Sequence, residues 1–280
     1  MQKFSISIII PNYNSKKLLE KNLPKVVVAA QNTAAQIIIV DDGSQDDSID
    51  FLQSSYPQIR VYKQEKNKGF ASTVNFGVSQ ANSDLVVLLN SDIVPEKDFL
   101  QPIMEDFSNN EKLFAVGCLD KSYEKGKIVE RGKGVGYWYR GLFMHRAGKI
   151  NNNDQETDWV SGGSSVYRRD LWNKLGGMDE KFNPFYYEDI DLSYRAKKVG
   201  YDIVFECRSL THHYHEEGTI KNQYTFEQIQ TAAFRNQLYF SWKHGNRLKM
   251  FLWLPYHLLM GTIKNKNSFF VKGFLAFCLR

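Results

Sequence analysis

Residues 36–44 read QIIIVDDGS, four β-branched residues in a row closed by two aspartates, a glycine and a serine. A short aliphatic run bounded by turn residues has the pattern of a strand buried on both faces. Two more runs of this kind occur, at 5–10 (SISIII) and 84–89 (DLVVLL). Helical patterns lie between them: about 15–30, led by Asn14 or Ser15; about 46–54, after Ser44; and about 70–81. Strands and helices alternating at this length predict an α/β fold with a mostly parallel open sheet, whose ligand crevice lies beyond the carboxyl ends of the strands. Pro11-Asn12-Tyr13-Asn14, Asp41-Asp42-Gly43-Ser44 and Asn90-Ser91-Asp92 each follow a strand, so their polar groups are expected on one rim. Pro95 is placed to open a further helix at its first position.

With 280 residues, 42% hydrophobic and 24% charged, the chain suits one large packed domain with a helical attachment. The division expected is 1–220 for a catalytic domain and 221–280 for a C-terminal helical segment. Cys118, Cys207 and Cys278 are odd in number and widely spaced, which predicts neither a disulfide framework nor a thiolate zinc site and suits a reducing cytoplasm. Met1 to Ser7 runs directly into the first aliphatic stretch without the layout of a secretory leader. Residues 121–158 are rich in Gly, Lys and Asn with weak periodicity and read as a loop or insertion. Gly132, Gly134 and Gly136 do not match a dinucleotide fingerprint, and no Walker loop occurs.

Three clusters carry candidate chemistry. Asp92, just past the strand at 84–89, is placed to reach a divalent cation shared with a diphosphate, although Asn90-Ser91-Asp92 is equally a turn. Glu188, Asp189 and Asp191 crowd the start of a helix running to Gly200, where acids also complement the helix dipole. Asp189 is the expected general base, with Glu188 shaping an acceptor pocket and Asp191 held by Arg195 four residues on. His212, His213 and His215 follow a strand expected at 202–206, and alternation puts His213 and His215 on one side. Phe185, Tyr186 and Tyr187 suit a sugar-stacking surface or a core.

Together SIIIPNYN, IIIVDDGSQDDS, NKGFASTVNFGVSQANSDLVVLLNSD and GGMDEKFNPFYYEDIDLSYRAKKVGYDIVF, followed by histidines, resemble family 2 glycosyltransferases of the GT-A fold, in particular the rhamnosyltransferase-like subgroup that builds bacterial surface polysaccharides. The resemblance covers roughly residues 4–220. It implies a nucleotide pocket at Pro11, Tyr13, Asp41 and Asp42, and a donor-binding helix start at Asn67, Gly69 and Asn75. The family's Asp-x-Asp motif appears as Asn90-Ser91-Asp92, leaving Asp92 as its one carboxylate ligand. His213 falls on the family's metal-binding histidine, with His215 as the fallback, and the ion implied is Mn²⁺ or Mg²⁺. Trp159, Gly162 and Gly163 match the acceptor side, with Glu188 and Asp191. The implied reaction is inverting transfer from a nucleotide-diphosphate-sugar to a glycan or lipid-linked glycan.

From Lys221 onward the chain holds nine Lys or Arg and one Glu, a net +8, which leaves −3 for the rest of a +5 protein. Helices are expected at about 223–243 and 248–262. The second is apolar on most sides but interrupted by Pro255 and His257, and it falls short of a spanning segment. An attachment to the anionic inner face of the cell membrane is expected, with a helix packed on the catalytic core as the competing reading. No nucleic-acid partner is expected. A sugar-nucleotide nucleotidyltransferase would also need a nucleotide pocket and a carboxylate-held metal, but not the Glu-Asp pair or the tail. A non-catalytic polysaccharide-binding protein would need neither the acids nor the histidines.

Overall fold

The aliphatic runs form the centre of the sheet. In the computed structural model, which describes residues 4–124, 126–151, 155–214, 223–265 and 268–279, they become β1 (Ile6–Asn12), β2 (Gln36–Asp41) and β4 (Leu85–Leu89), with β3 (Arg60–Lys63) outside β2. β1 pairs in parallel with β2 and β4, and β2 with β3. Helices α1 (Lys16–Thr33), α2 (Ser48–Ser55) and α3 (Phe70–Gln80) make the crossovers. They cover both faces, which is why the strands lack polar alternation. Leu19, Leu23, Ile8 and Ile39 pack on one face, and Val74, Val78, Ile9 and Ile38 on the other. Each such fully buried side chain stabilises the fold by about 1.5–3 kcal/mol relative to exposure.

Pro95 does not open a helix. It ends β5 (Ile93–Pro95), which lies antiparallel against β11 (Asp202–His213), and the next helix, α4, spans Leu100–Asn109. The Glu96 N–H donates to Leu210 O at 3.0 Å, so the backbone here is committed to the sheet rather than to a helical turn. β11 runs well beyond residue 206, with a register shift between Glu206 and Leu210.

The stretch 121–158 is largely strand rather than loop: β6 (Leu113–Glu124), β7 (Lys127–Arg131) and a separate hairpin, β8 (Gly134–Tyr139) with β9 (Leu142–Ala147). Its glycines answer to tertiary contacts, which hid the strand periodicity. A Cβ on Gly134 would lie 2.4 Å from the Trp159 ring, and one on Gly136 would lie 2.3 Å from Phe143. β10 (Ser164–Arg168) inserts antiparallel between β4 and β6, giving the order β3-β2-β1-β4-β10-β6-β11-β5 with β7 on β6. α5 (Arg169–Leu175) and α6 (Glu188–Lys198) follow, and α6 leads into β11.

The C-terminal segment forms α7 (Phe226–His244), α8 (Arg247–Asn265) and α9 (Phe269–Cys278), the last not anticipated from the sequence. Thr225 and Gln228 close a reciprocal capping box at the start of α7. Phe240 of α7 packs with Phe143, Phe182, Tyr187 and Ile190, so α7 is built onto the α/β part. α8 continues through Pro255. No described helix is long and apolar enough to cross a membrane.

Candidate active site

A cleft of about 610 Å³ opens at the carboxyl ends of β1, β2 and β4. Pro11, Tyr13, Asp42, Asn67 and Gly69 line its first side, and Asn90, Asp92 and His213 its middle. Trp159, Gly162, Gly163, Glu188 and Asp189 line the opposite side. Residues 92, 189 and 213, more than a hundred positions apart at the extremes, thus share one cavity.

On the first side, Asp42 fastens β2 to the approach of α3 by accepting from the Lys68 and Gly69 N–H groups at 2.8 and 3.0 Å. Burial raises its pKa, and those N–H groups oppose the rise. Gly69 sits at φ +89° with Asn183 side-chain atoms 2.7 Å from where a Cβ would be, so both backbone angle and space require glycine.

Three expected site residues do not line this cleft. Asp41 is fully buried behind it, accepting from Asn12 Nδ2 at 2.7 Å and Ser44 N–H at 2.9 Å, because adjacent strand residues point to opposite faces. Asn75 pairs both ways with the Met178 backbone, at 2.8 and 2.9 Å, and braces the turn before α6. Asp191 points away, to Arg195 Nε at 2.7 Å, as expected, Lys243 Nζ at 2.9 Å and His244 Nε2 at 2.7 Å. At 3.6 residues per turn, two residues rotate by about 200°, so a helix that aims Asp189 into the cleft aims Asp191 out of it.

In the middle of the cleft, His213 Nε2 lies 3.3 Å from Asp92 Oδ2. The other oxygen, Asp92 Oδ1, is buried without a hydrogen-bond partner among the described residues. A buried, half-satisfied carboxylate beside an imidazole, open to a cavity, is a donor set that fits a divalent cation. No cluster of three or more His, Cys, Asp or Glu suited to a metal occurs among the described residues, so substrate oxygens and water would complete the shell. Burial alone would lower the His213 pKa, but Asp92, Asp120 and Glu124 outweigh it and raise it. His212 faces the other way, toward Tyr123 Oη and Glu96. His215, the fallback ligand, lies outside the described residues.

Glu188 and Asp189 form a coupled acidic pair. Burial pushes Glu188 well above the usual carboxylate range, the Asp189 charge adds to it, and Glu188 Oε2 has no partner among the described residues. Burial raises Asp189 too, but the N–H groups of Gly162, at 3.1 Å, and Ile190, at 2.7 Å, favour its charged form. Both carboxyls are thus raised, Glu188 the further, and the two N–H groups favour the charged form at Asp189. The preceding residues, Tyr186 and Tyr187, both adopt positive φ, +74° and +76°, a costly conformation for bulky side chains. Asn236 of α7 holds them: its Nδ2 donates to the carbonyls of Phe182, Phe185 and Tyr186 at 2.6, 2.9 and 2.8 Å.

Asn236 was not legible as a site residue, since nothing local distinguishes it from a surface amide in a helix. Also unanticipated in the cleft are Asp120, Arg131, Lys133, His145, Arg146 and Tyr224. Three of them are basic residues within four positions of a glycine in the stretch read as loop, and that was the available signal.

The chain belongs to glycosyl transferase family 2, whose model matches residues 7–176. It is 28% identical over 213 residues to the poly-β-1,6-N-acetyl-D-glucosamine synthase of Staphylococcus epidermidis, covering 73% of this chain and 48% of that one. It is 31% identical over 128 residues to the dolichol-phosphate mannosyltransferase of Pyrococcus furiosus, covering 45% and 35%. The chain thus spans about half the length of the staphylococcal relative or less. Among solved structures, GalNAc-T7 with UDP, GalNAc and Mn²⁺ superposes with a TM-score of 0.68 at 14% identity, over 86% of this chain and 48% of that one. TarS of S. aureus with UDP-GlcNAc superposes with a TM-score of 0.60 at 17% identity, over 84% and 66%. The fold is that of GT-A glycosyltransferases.

Proposed function

We propose that this chain is a metal-dependent, inverting glycosyltransferase that moves a hexosyl group from a nucleotide-diphosphate-sugar to an acceptor hydroxyl in surface-polysaccharide or glycolipid synthesis. The observation that carries the reading is the shared cavity of Asp92, His213 and Asp189, continuous with Pro11, Tyr13 and Asp42. Asp92 and His213 would hold a Mn²⁺ or Mg²⁺ ion, which when bound supplies positive charge against a departing diphosphate. Pro11, Tyr13 and Asp42 hold the nucleoside. Asp189 accepts the proton of the acceptor hydroxyl while that oxygen attacks the anomeric carbon from the side opposite the diphosphate, inverting the centre. Glu188, whose burial favours its neutral form, would donate to the acceptor. Relatives named for a polysaccharide synthase and a mannosyltransferase, one neighbour solved with UDP, GalNAc and Mn²⁺ and another with UDP-GlcNAc, support this class of donor.

Nucleotide-sugars screened with Mn²⁺ by thermal shift, then assayed for nucleotide release with and without acceptor, test the reading. A donor that raises the melting temperature only with metal, and releases nucleotide faster with acceptor, is expected. A panel with no metal-dependent shift and no release contradicts it.

The same proposal includes peripheral attachment to the inner face of the cell membrane. Leu248, Leu252, Leu259 and Ile263 of α8, with Leu275 of α9 and Leu279 just beyond it, are exposed, and the tail is strongly basic. Flotation with anionic liposomes is expected to carry the protein up the gradient; no enrichment over neutral liposomes contradicts the attachment.

A further inference from the structure

One cation at the junction of the β8–β9 hairpin and α8 has no part in the cleft and no ion pair among the described residues. The hairpin turns through two residues, Arg140 and Gly141, between the paired Tyr139 and Leu142. Both have positive φ, +48° and +82°, the pattern of a type I′ turn. A Cβ on Gly141 would lie 2.6 Å from the Met250 backbone, so the turn rests directly on α8 and glycine is required there. Position 140 is different, since such a turn is filled most readily by Asn, Asp or Gly. Turn geometry gives no reason for an arginine.

The reason lies in its side chain, which sits among aromatic rings. The guanidinium carbon of Arg140 is 4.1 Å from the Tyr256 ring centroid, 4.5 Å from that of Trp253 and 5.2 Å from that of Tyr139. His257 Nε2, 3.1 Å from Arg140 O, ties the turn to the same helix. Aromatic faces attract the charge of a guanidinium but leave the N–H donors on its edge unused. Among the described residues those donors have no acid and no other hydrogen-bond acceptor. A guanidinium held by its faces with its fork open is suited to a bidentate anion.

The surroundings select the anion. Leu248, Leu252, Leu259 and Ile263 recur at helical spacing on the exposed side of α8, with Phe251 and Met260 also exposed, while Met250 and Leu254 turn inward to Leu142, Phe234 and Leu238. α8 carries no acid, and Arg247 and Lys249 at its start are exposed. Exposed aliphatic side chains, Trp and Tyr beside them and a cation among those rings match the layers of a leaflet: acyl chains, interfacial aromatics and phosphates. A second copy of this chain would bring an equally acid-free face, whereas an anionic leaflet supplies the missing charge.

Resting on the membrane attachment proposed above, we infer that Arg140, held by Tyr139, Trp253 and Tyr256, is a binding site for the phosphate of an anionic phospholipid headgroup. Six residues of extended chain, at most about 20 Å, separate Arg140 from Arg146, which lines the cleft. The site thus holds that wall of the cleft close to the leaflet.

Co-sedimentation with vesicles of phosphatidylcholine, alone or mixed with phosphatidylglycerol, tests this at one fixed salt concentration. Arg140→Asn removes the guanidinium and suits the turn, so the fold is kept, which a melting curve checks. Its affinity for the phosphatidylglycerol vesicles should fall about tenfold or more, the scale of hydrogen bonds to a charged group. Lys249→Gln removes an exposed charge that contacts none of the three rings and should cost about fivefold or less, the worth of one basic residue near an anionic surface. Arg140→Lys keeps the charge without the planar fork and should fall between the parent and Arg140→Asn. UDP binding with Mn²⁺ should be unchanged in all three. Equal losses in Arg140→Asn and Lys249→Gln, or full binding by Arg140→Lys, overturn the site and leave attachment to diffuse charge. A parent protein with no preference for phosphatidylglycerol vesicles removes the attachment itself and the site with it. A concentration-dependent dimer that Arg140→Asn strengthens would assign the face to a second copy and also overturns the inference.

Discussion

Glu188 and Asp189 open α6 toward the cleft, while Asp191, one half-turn on, faces Arg195, Lys243 and His244. Glu188 and Asp191 are buried and Asp189 half-buried, and burial is the largest influence on each, yet the outcomes have opposite signs. The cleft pair lacks a cation and is pushed up; Asp191 has a hydrogen bond to His244 and the Arg195 and Lys243 charges, and is pulled below the usual carboxylate range. Acidic side chains within one turn of helix thus hold their protons more tightly on one side and are fixed in an ion cluster on the other. Neighbouring charge, rather than burial, separates a reactive carboxylate from a structural one.

Asp189→Asn should lower transfer by about 10²–10⁴-fold, the contribution of a general base, with donor binding retained. Steady-state kinetics beside a donor titration check this, and near-parental turnover would remove the distinction between the two sides. Asp191→Ala should act on stability instead, costing about 3–5 kcal/mol in urea unfolding by leaving buried cations uncompensated. Asn236→Ala sits between the two. It strands the carbonyls of Phe182, Phe185 and Tyr186, should cost about 1–3 kcal/mol, and should lower kcat as Tyr186 and Tyr187 relax.

The smallest expected effect has the most telling sign. Glu188 binds its proton more tightly folded than unfolded, so it contributes a penalty that grows as pH rises above the unfolded value. Glu188→Gln removes that penalty and should raise Tm at neutral pH by about 2–4 °C per kcal/mol gained. Asp191, with its depressed pKa, contributes stability that is present above its unfolded value and lost as pH falls through its folded one. Melting curves of Glu188→Gln and Asp191→Ala from neutral to acid pH should therefore diverge from the parent in opposite directions at neutral pH and converge on it in acid.

What the sequence disclosed follows from how local each signal was. β1, β2 and β4 were readable because burial on both faces demands unbroken aliphatic runs. The rim residues Asp42, Asp92, Glu188 and Asp189 were readable because their motifs end those runs or open a helix. Strands β7 to β9 were not, since Gly134 and Gly136 are selected by Trp159 and Phe143, residues distant along the chain. Asn236 was hidden for the same reason. Asp191 is another matter: the helical period already set it opposite Asp189, and the acid-rich motif obscured that simple geometry.

Calorimetric titration of a nucleoside diphosphate with Mn²⁺ into the parent, Asp92→Ala and Asp189→Asn proteins tests the shared cavity most directly. Metal-dependent binding that is lost in Asp92→Ala and kept in Asp189→Asn is the predicted result; binding of equal strength in the parent and Asp92→Ala would contradict it.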